Sequence, residues 1–346
     1  MNRRERLQLS RLVCGDLPTS ARSAWSCWAV QNRVVATILA ATPTALLTFD
    51  LEGTPRRSAL EGHDVRAVAP ETWERLWAVV DGREIWCAEG DGWGRVASLA
   101  DLTGAEDLEA LCLADTRANP LGGILVGTSR ARLVRVTEQR EIEFLEAFDR
   151  APDRDHWYTP WGGPPDTRTI SEDREQVYVN VHVGGILRSR DEGATWTPTI
   201  DIHADIHQVA TGGGRVYAAG AYGLSVSQDG GDSWRLRAEG LHAAYCRAVA
   251  VCGHRLLLTA STGPSGGKAA LYSSNLDGER FERCRAGLPE WFGGNIDSLC
   301  LDALPEGELA AFGSDAGELY SSTDQGRSWT RVAGGLGRIT RVLVLP

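Results

Sequence analysis

Short runs that mix apolar and polar positions in strand fashion recur along the chain. They are His63-Asp64-Val65-Arg66-Ala67-Val68, Glu106-Asp107-Leu108-Glu109-Ala110-Leu111, Pro165-Asp166-Thr167-Arg168-Thr169-Ile170, Ala204-Asp205-Ile206-His207-Gln208-Val209, Ala244-Tyr245-Cys246-Arg247-Ala248-Val249 and Gly294-Asn295-Ile296-Asp297-Ser298-Leu299. A seventh, Arg338-Ile339-Thr340-Arg341-Val342, closes the sequence. Side chains alternate faces along a strand, so such runs predict β-structure with one packed face. The fourth residues of the six runs, with Thr340 in register, are separated by 43, 59, 39, 40, 50 and 43 residues. Repeats near forty residues with room for four short strands predict the blades of a β-propeller.

The runs count seven blades. The last lacks the rest of its blade, while the N-terminal region offers strands over 24–30, 34–40 and 45–51 without an inner partner. The C-terminal strand is therefore expected to complete the first blade, which closes the ring and removes two exposed edges. The apolar stretch over 34–49 carries Pro43 and is too short to span a bilayer, so it reads as two strands and a turn. The expectation is an all-β, single-domain, seven-bladed propeller over 1–346, with 1–20 as an N-terminal extension.

Three octets reinforce this reading: Ser189-Arg190-Asp191-Glu192-Gly193-Ala194-Thr195-Trp196, Ser227-Gln228-Asp229-Gly230-Gly231-Asp232-Ser233-Trp234 and Ser322-Thr323-Asp324-Gln325-Gly326-Arg327-Ser328-Trp329. Ser and Asp side chains accept from backbone N–H groups two residues on, and Gly takes a positive φ without steric cost, so each octet predicts a hairpin turn. Its Trp then opens the next strand and packs between sheets. Asp191, Asp229 and Asp324 are read as turn formers, neither ligands nor acids. Degenerate versions stand at Ser274-Asn275-Leu276-Asp277-Gly278 and Glu89-Gly90-Asp91-Gly92-Trp93. The pattern Ser-x-Asp-x-Gly-x-(Ser/Thr)-Trp resembles the Asp box of the BNR repeat propellers, a WD40/YVTN/BNR-like group that includes sialidases, sortilin-type receptors and photosystem II assembly factors. The resemblance implies the fold and leaves the reaction open.

Composition narrows the partners. A net charge of −10, with Lys268 the one lysine among 36 basic residues, argues against nucleic acid and anionic membranes, which require a basic surface. Residues 1–12 are charged and show no secretory signal pattern. Eight cysteines (14, 27, 87, 112, 246, 252, 284 and 300) form no Cys-x-x-Cys motif and sit mostly in apolar strands, as small buried hydrophobes of a reducing, cytoplasmic compartment do.

The blade face opposite the octets collects the candidate chemistry. Loops entering the inner strands carry His156, Trp157, Tyr158, Trp161, His203, His242, Trp291 and Asn295, and the facing turns carry His182 and Tyr222. Exposed aromatics beside glycine suit a site approached closely by a ligand or partner, although the tryptophans could equally fill gaps between blades. Inner-strand residues converge on the central channel. Arg66, Arg168 and Arg247 there would repel by about 3 kcal/mol per pair at 6 Å and an effective dielectric near 20, so they need an anion or carboxylates. Glu109 and Asp297, on the third and seventh blades, supply internal pairing; a bound carboxylate, phosphate or sulfate is the alternative.

Known catalytic patterns fit poorly. The resemblance to sialidases implies three arginines around a substrate carboxylate and a Tyr nucleophile assisted by Glu and Asp. Tyr245, with Glu109 or Asp297, would take those roles, but the family's N-terminal Phe/Tyr-Arg-Ile-Pro motif is absent. Gly263-Pro264-Ser265-Gly266-Gly267 lies between strand-like runs and is not a nucleophile elbow, and the stretch to Lys268 is one residue short of a P-loop. His203 and His207 lie four apart, about 13 Å along a strand, too far to share an ion. A metal would need His207 joined by His182, Asp297 or Glu109 from other blades, and neither metal nor cofactor is assigned.

The expected function is binding of a small anionic ligand or substrate at the channel mouth. Arg66, Arg168, Arg247, Tyr158, Trp161, Trp291 and Asn295 would form the binding set. His207, His182, Tyr245, Glu109 and Asp297 are the catalytic candidates if the pocket is that of a glycosidase-like hydrolase or a lyase. The competing expectations are a non-catalytic scaffold that docks a protein partner and a sialidase-like hydrolase.

Overall fold

All but one of the recurring runs enter the inner strands of radially arranged sheets. The computed structural model describes residues 36–72, 75–89, 92–116, 121–159, 162–173 and 176–346. These residues form seven four-stranded antiparallel sheets, the blades of a propeller that spans Thr37–Leu345. Inner strands of blades two to seven are Val65–Pro70, Ala110–Asp115, Thr167–Asp173, Ile206–Gly212, Tyr245–Cys252 and Leu301–Ala303. Blade one is built from Thr37–Thr42, Ala45–Phe49 and Pro55–Ala59, and the C-terminal strand Arg341–Leu345 supplies its inner position. It pairs antiparallel with Thr37–Thr42, from Leu345 against Thr37 to Arg341 against Ala41. The ring closes as expected, and 37–49 forms two strands and a turn. The outer strand of blade one is Pro55–Ala59; the 24–30 run and the 1–20 extension lie outside the described residues.

The core is distributed between blades. In one inter-blade cluster Phe312 meets Trp329 at 5.0 Å and Phe292 at 5.5 Å, with both pairs edge-on, and Tyr320 stacks on Phe312 at 5.0 Å. All four rings are buried. Cys87, Cys112, Cys246, Cys252, Cys284 and Cys300 are unbridged and buried, as the apolar context of each predicts. No helix among the described residues is long and apolar enough to cross a membrane.

All three octets lie between the third and fourth strands of their blades. Their bonding reaches further than the two-residue expectation. Asp191 Oδ1 accepts from the Thr195 N–H, Asp229 Oδ1 from Ser233 and Asp324 Oδ1 from Ser328, all four residues on at 2.8–2.9 Å. The other carboxylate oxygen accepts from the hydroxyl of the same residue at 2.5–2.6 Å. The leading Ser hydroxyl accepts from the Gly N–H four residues on. Gly193, Gly231 and Gly326 are left-handed, at φ 79°, 91° and 76°, a conformation glycine adopts without a Cβ clash. The carboxylates are thus consumed by their own turns.

A repeated irregularity controls the channel. The ladder between the first and second strands slips at Val65/Ala67, Ala110/Cys112, Thr167/Thr169, Ile206/Gln208 and Cys246/Val249. Arg66, Leu111, Arg168, His207 and Arg247 therefore stand in β-bulges, which bend a strand and re-aim a side chain. This corrects the alignment in blade three, where Leu111, and not Glu109, is equivalent to the arginines. Blade seven departs too, for the Asn295–Leu299 segment is a turn preceding Leu301–Ala303 and not an inner strand. Ser298 Oγ donates toward the carbonyls of His207 (3.1 Å) and Arg247 (3.0 Å), and the Leu299 N–H donates to Gln208 Oε1 at 2.9 Å. These bonds to blades five and six replace the ladder that a strand would have made.

Candidate functional site

Two residues before each bulge, blades two to five carry a carboxylate: Asp64, Glu109, Asp166 and Asp205. Their equivalence is backbone-defined. Each carbonyl accepts from the residue that opens the turn after the second strand: Asp81 at 2.8 Å, Ser129 at 2.8 Å, His182 at 2.9 Å and Ala221 at 3.1 Å. Blade six has Tyr245 at this position. The sequence places acidic residues and bulged cations in adjacent columns, and the propeller wraps both around the channel mouth.

A cavity of about 540 Å³ opens there. Arg66, Arg168, Arg247 and Arg338 face Asp64, Asp166 and Asp297 around it, with Thr340 and Ser298 adding hydroxyls. Three of the arginines are paired. Arg66 donates to Asp64 at 2.8 Å and to Glu109 at 2.7 Å; burial works against its charge, but these hydrogen bonds outweigh it and raise its pKa. Arg247 lies 3.1 Å from Asp297, and the exposed Arg338 lies 3.7 Å from the other oxygen of that carboxylate.

Arg168 differs. It makes no ion pair and no hydrogen bond among the described residues, although Asp166 and Asp297 act on it from beyond contact range. Burial, and then the neighbouring charge of Arg247, push its pKa down. A largely enclosed guanidinium without a contacting counter-charge is costly, and an anion in the cavity would relieve it.

Beside the arginines lies a second cluster. His182 Nε2 is 3.1 Å and His207 Nε2 is 3.7 Å from Asp205 Oδ1. His207 is fully buried, and its Nδ1 lies 2.6 Å from the Cys246 carbonyl. A carbonyl only accepts, so Nδ1 carries the proton and Nε2 presents a lone pair. Burial above all, helped by the charge of Arg247, pushes the His207 pKa down to about 4, and the ring is neutral at pH 7. Contact with His182 holds Asp205 below the ordinary carboxylate range despite the opposing effect of burial. The Tyr245 ring packs 4.6 Å from His207 with the Arg247 guanidinium 5.3 Å away, and burial raises its pKa.

The described aromatic candidates of the entry loops do not line this cavity. Trp157 is buried, 5.9 Å from Phe148, and fills the space between blades. Tyr158 is exposed and borders a separate depression with His156 and His203. Trp291 packs on His242 at 4.7 Å under the Arg283 guanidinium. Asn295 donates to the carbonyls of Gly263 and Pro264, so it pins a neighbouring loop. Trp161 lies outside the described residues. The site residues passed over in the sequence are Asp64, Asp166, Asp205 and Arg338. The first three were visible as an acidic residue two before Arg66, Arg168 and His207.

No protein-family model and no curated protein sequence matches the chain. Solved structures share its fold. YCF48 bound to D1 peptide is 13% identical over 87% of this chain and 86% of that one, with a TM-score of 0.55. The WD40 repeats of RRP9 are 15% identical over 88% of each chain, with a TM-score of 0.58. A GH74 xyloglucanase from Xanthomonas campestris is 18% identical over 77% of this chain, which spans 45% of that protein, with a TM-score of 0.55. At such identities the likeness carries the seven-bladed propeller and nothing finer.

Proposed function

We propose that this propeller binds a small anionic molecule, a carboxylate or phosphate, in the cavity at the channel mouth with Arg168 as its principal anchor. The observation that carries the reading is the contrast among the arginines. Arg66 and Arg247 are neutralised by Asp64, Glu109 and Asp297, while Arg168 has no such partner among the described residues. A planar guanidinium offers two parallel N–H groups to a carboxylate or phosphate, which suits it to the role. The three octet turns support placing the chain with the Asp-box propellers, whose fold accommodates both enzymes and scaffolds.

If the bound anion is also a substrate, the proton-handling groups of this reading are His207 and Tyr245, which adjoin Arg247 at the edge of the cavity, in a hydrolase or lyase reaction. A sialidase-type mechanism draws less support. Tyr245 is held protonated by burial, and the two carboxylates proposed to assist it, Glu109 and Asp297, are engaged by Arg66 and Arg247. The test is a thermal-shift and calorimetric screen of phosphate, sulfate, and mono- and dicarboxylates on the purified chain. Saturable one-to-one binding by members of this set supports the reading, and no response from any of them rejects it.

A second reading, a protein-docking scaffold, is favoured by one feature. Tyr222 and Leu236 are exposed large apolar side chains beside a depression of about 280 Å³ shared with Ile200, Ile206 and Trp234. The solved YCF48 structure contains a bound peptide, and the Tyr222–Leu236 depression shares no lining residue with the Arg168 cavity.

A further inference from the structure

We propose that His182, Asp205 and His207 form a binding site for a divalent transition-metal ion, with zinc the ion that their chemistry fits best. The three come from two adjoining blades. His182 opens the turn after Gln176–Val181 of blade four, and Asp205 and His207 flank the start of the inner strand of blade five. Each offers one ligand atom, and these atoms all lie within 4.8 Å of one another. Ligand atoms about 2.0–2.2 Å from a tetrahedral ion stand about 3.3 Å apart. Separations of 3.1 Å and 3.7 Å to Asp205 already approach that spacing.

An independent observation points to a ligand. His207 Nε2 is buried without a hydrogen-bond partner, 3.7 Å from an Asp205 carboxylate oxygen. Two acceptors at that distance repel unless a cation or a proton lies between them. The opposite nitrogen is anchored on the Cys246 carbonyl, the arrangement that fixes the tautomer and orientation of a metal-binding imidazole. Among the four equivalent carboxylates, Asp205 is the one with left-handed backbone, at φ 48°, a conformation that is uncommon outside glycine. Two imidazoles and one carboxylate are the donors that zinc accepts, and they leave a coordination position open.

Nearby charge sets the kind of complex. Arg168 and Arg247 act on His207 from the cavity side, opposing a bare cation. Asp205 offsets one charge, and Asp166 and Asp297 act on Arg168 in the same sense. The open position then favours an oxygen anion. The site goes beyond the anion reading and is tested without any added ligand.

The experiment is titration of the chelator-stripped full chain with Zn²⁺ by calorimetry, and with Co²⁺ by visible absorption. The expected result is one equivalent bound at micromolar affinity or tighter. The cobalt complex should show d–d bands without the near-ultraviolet charge-transfer band of a thiolate, which excludes the cysteines. Asp205→Asn and His207→Gln should each weaken binding more than about tenfold, with the circular-dichroism spectrum unchanged. His203→Ala, at an exposed histidine outside the set, should leave it intact. Asp205→Asn is isosteric and keeps the test valid if His207→Gln misfolds. No stoichiometric binding, a thiolate signature, or binding indifferent to Asp205→Asn overturns the proposal.

Discussion

Arg66 of blade two donates to Glu109 of blade three at 2.7 Å, so the bulged arginine of one sheet is tied to the carboxylate at the strand entrance of the next. Glu109 is more than half exposed, and an exposed pair contributes at most about 1 kcal/mol and is weakened by salt. Glu109→Gln should therefore lower the unfolding free energy by less than about 1 kcal/mol. Urea denaturation at low and high salt checks this, and the deficit should shrink as salt rises.

The inter-blade aromatic cluster should be far less tolerant. Trp329 is buried against Phe312, and its indole N–H donates to the Gly326 carbonyl of its own turn at 3.1 Å. Trp329→Ala removes both the packing and the turn contact and should cost about 3–5 kcal/mol. Trp234→Ala, at a half-buried ring, should cost less. The two denaturation midpoints, measured side by side, provide the check.

The octet turns predict an acid-side loss of stability. Burial acts to raise the Asp324 pKa, but hydrogen bonds from the Ser328 hydroxyl and N–H and from Ser322 outweigh it and hold it at about 2, below the ordinary 3.8. Asp229 is lowered as well, chiefly by Ser233. Because the folded value lies below the unfolded one, the unfolded chain binds more protons in this window. Stability is then complete above pH 3.8 and declines as pH falls toward 2. Melting temperature measured from pH 5 to 2 should fall, and Ser328→Ala should flatten that slope while lowering the plateau.

How much of this was legible in the sequence differs between fold and site. The octets and the near-forty spacing carry blade number and ring closure because both are local signals, a turn motif and a strand period. The site depended on register. The inner strands of blades two to six each absorb an extra residue in a bulge, and the pattern of apolar positions gives no warning of it, so Glu109 aligns with the arginines in the sequence when Leu111 holds that place. Asp297 was assigned to a strand because Ile296 and Leu299 are apolar; Ser298 and Leu299 instead bond to blades five and six, a long-range preference that no local run encodes. Asp205 stood in plain view beside His207, but its meeting with His182 required knowing that the blade-four turn faces the blade-five strand.

The most direct test of the account is anion titration of the wild-type chain against Arg168→Met, with both melting temperatures recorded without ligand. The account predicts saturable binding in the wild type, a loss of more than about tenfold in the variant, and a ligand-free melting temperature that is unchanged or raised, because a largely enclosed charge without a contacting partner has been removed. Equal binding by both proteins, or a variant whose melting temperature falls by many degrees, would contradict it and make Arg168 a structural residue.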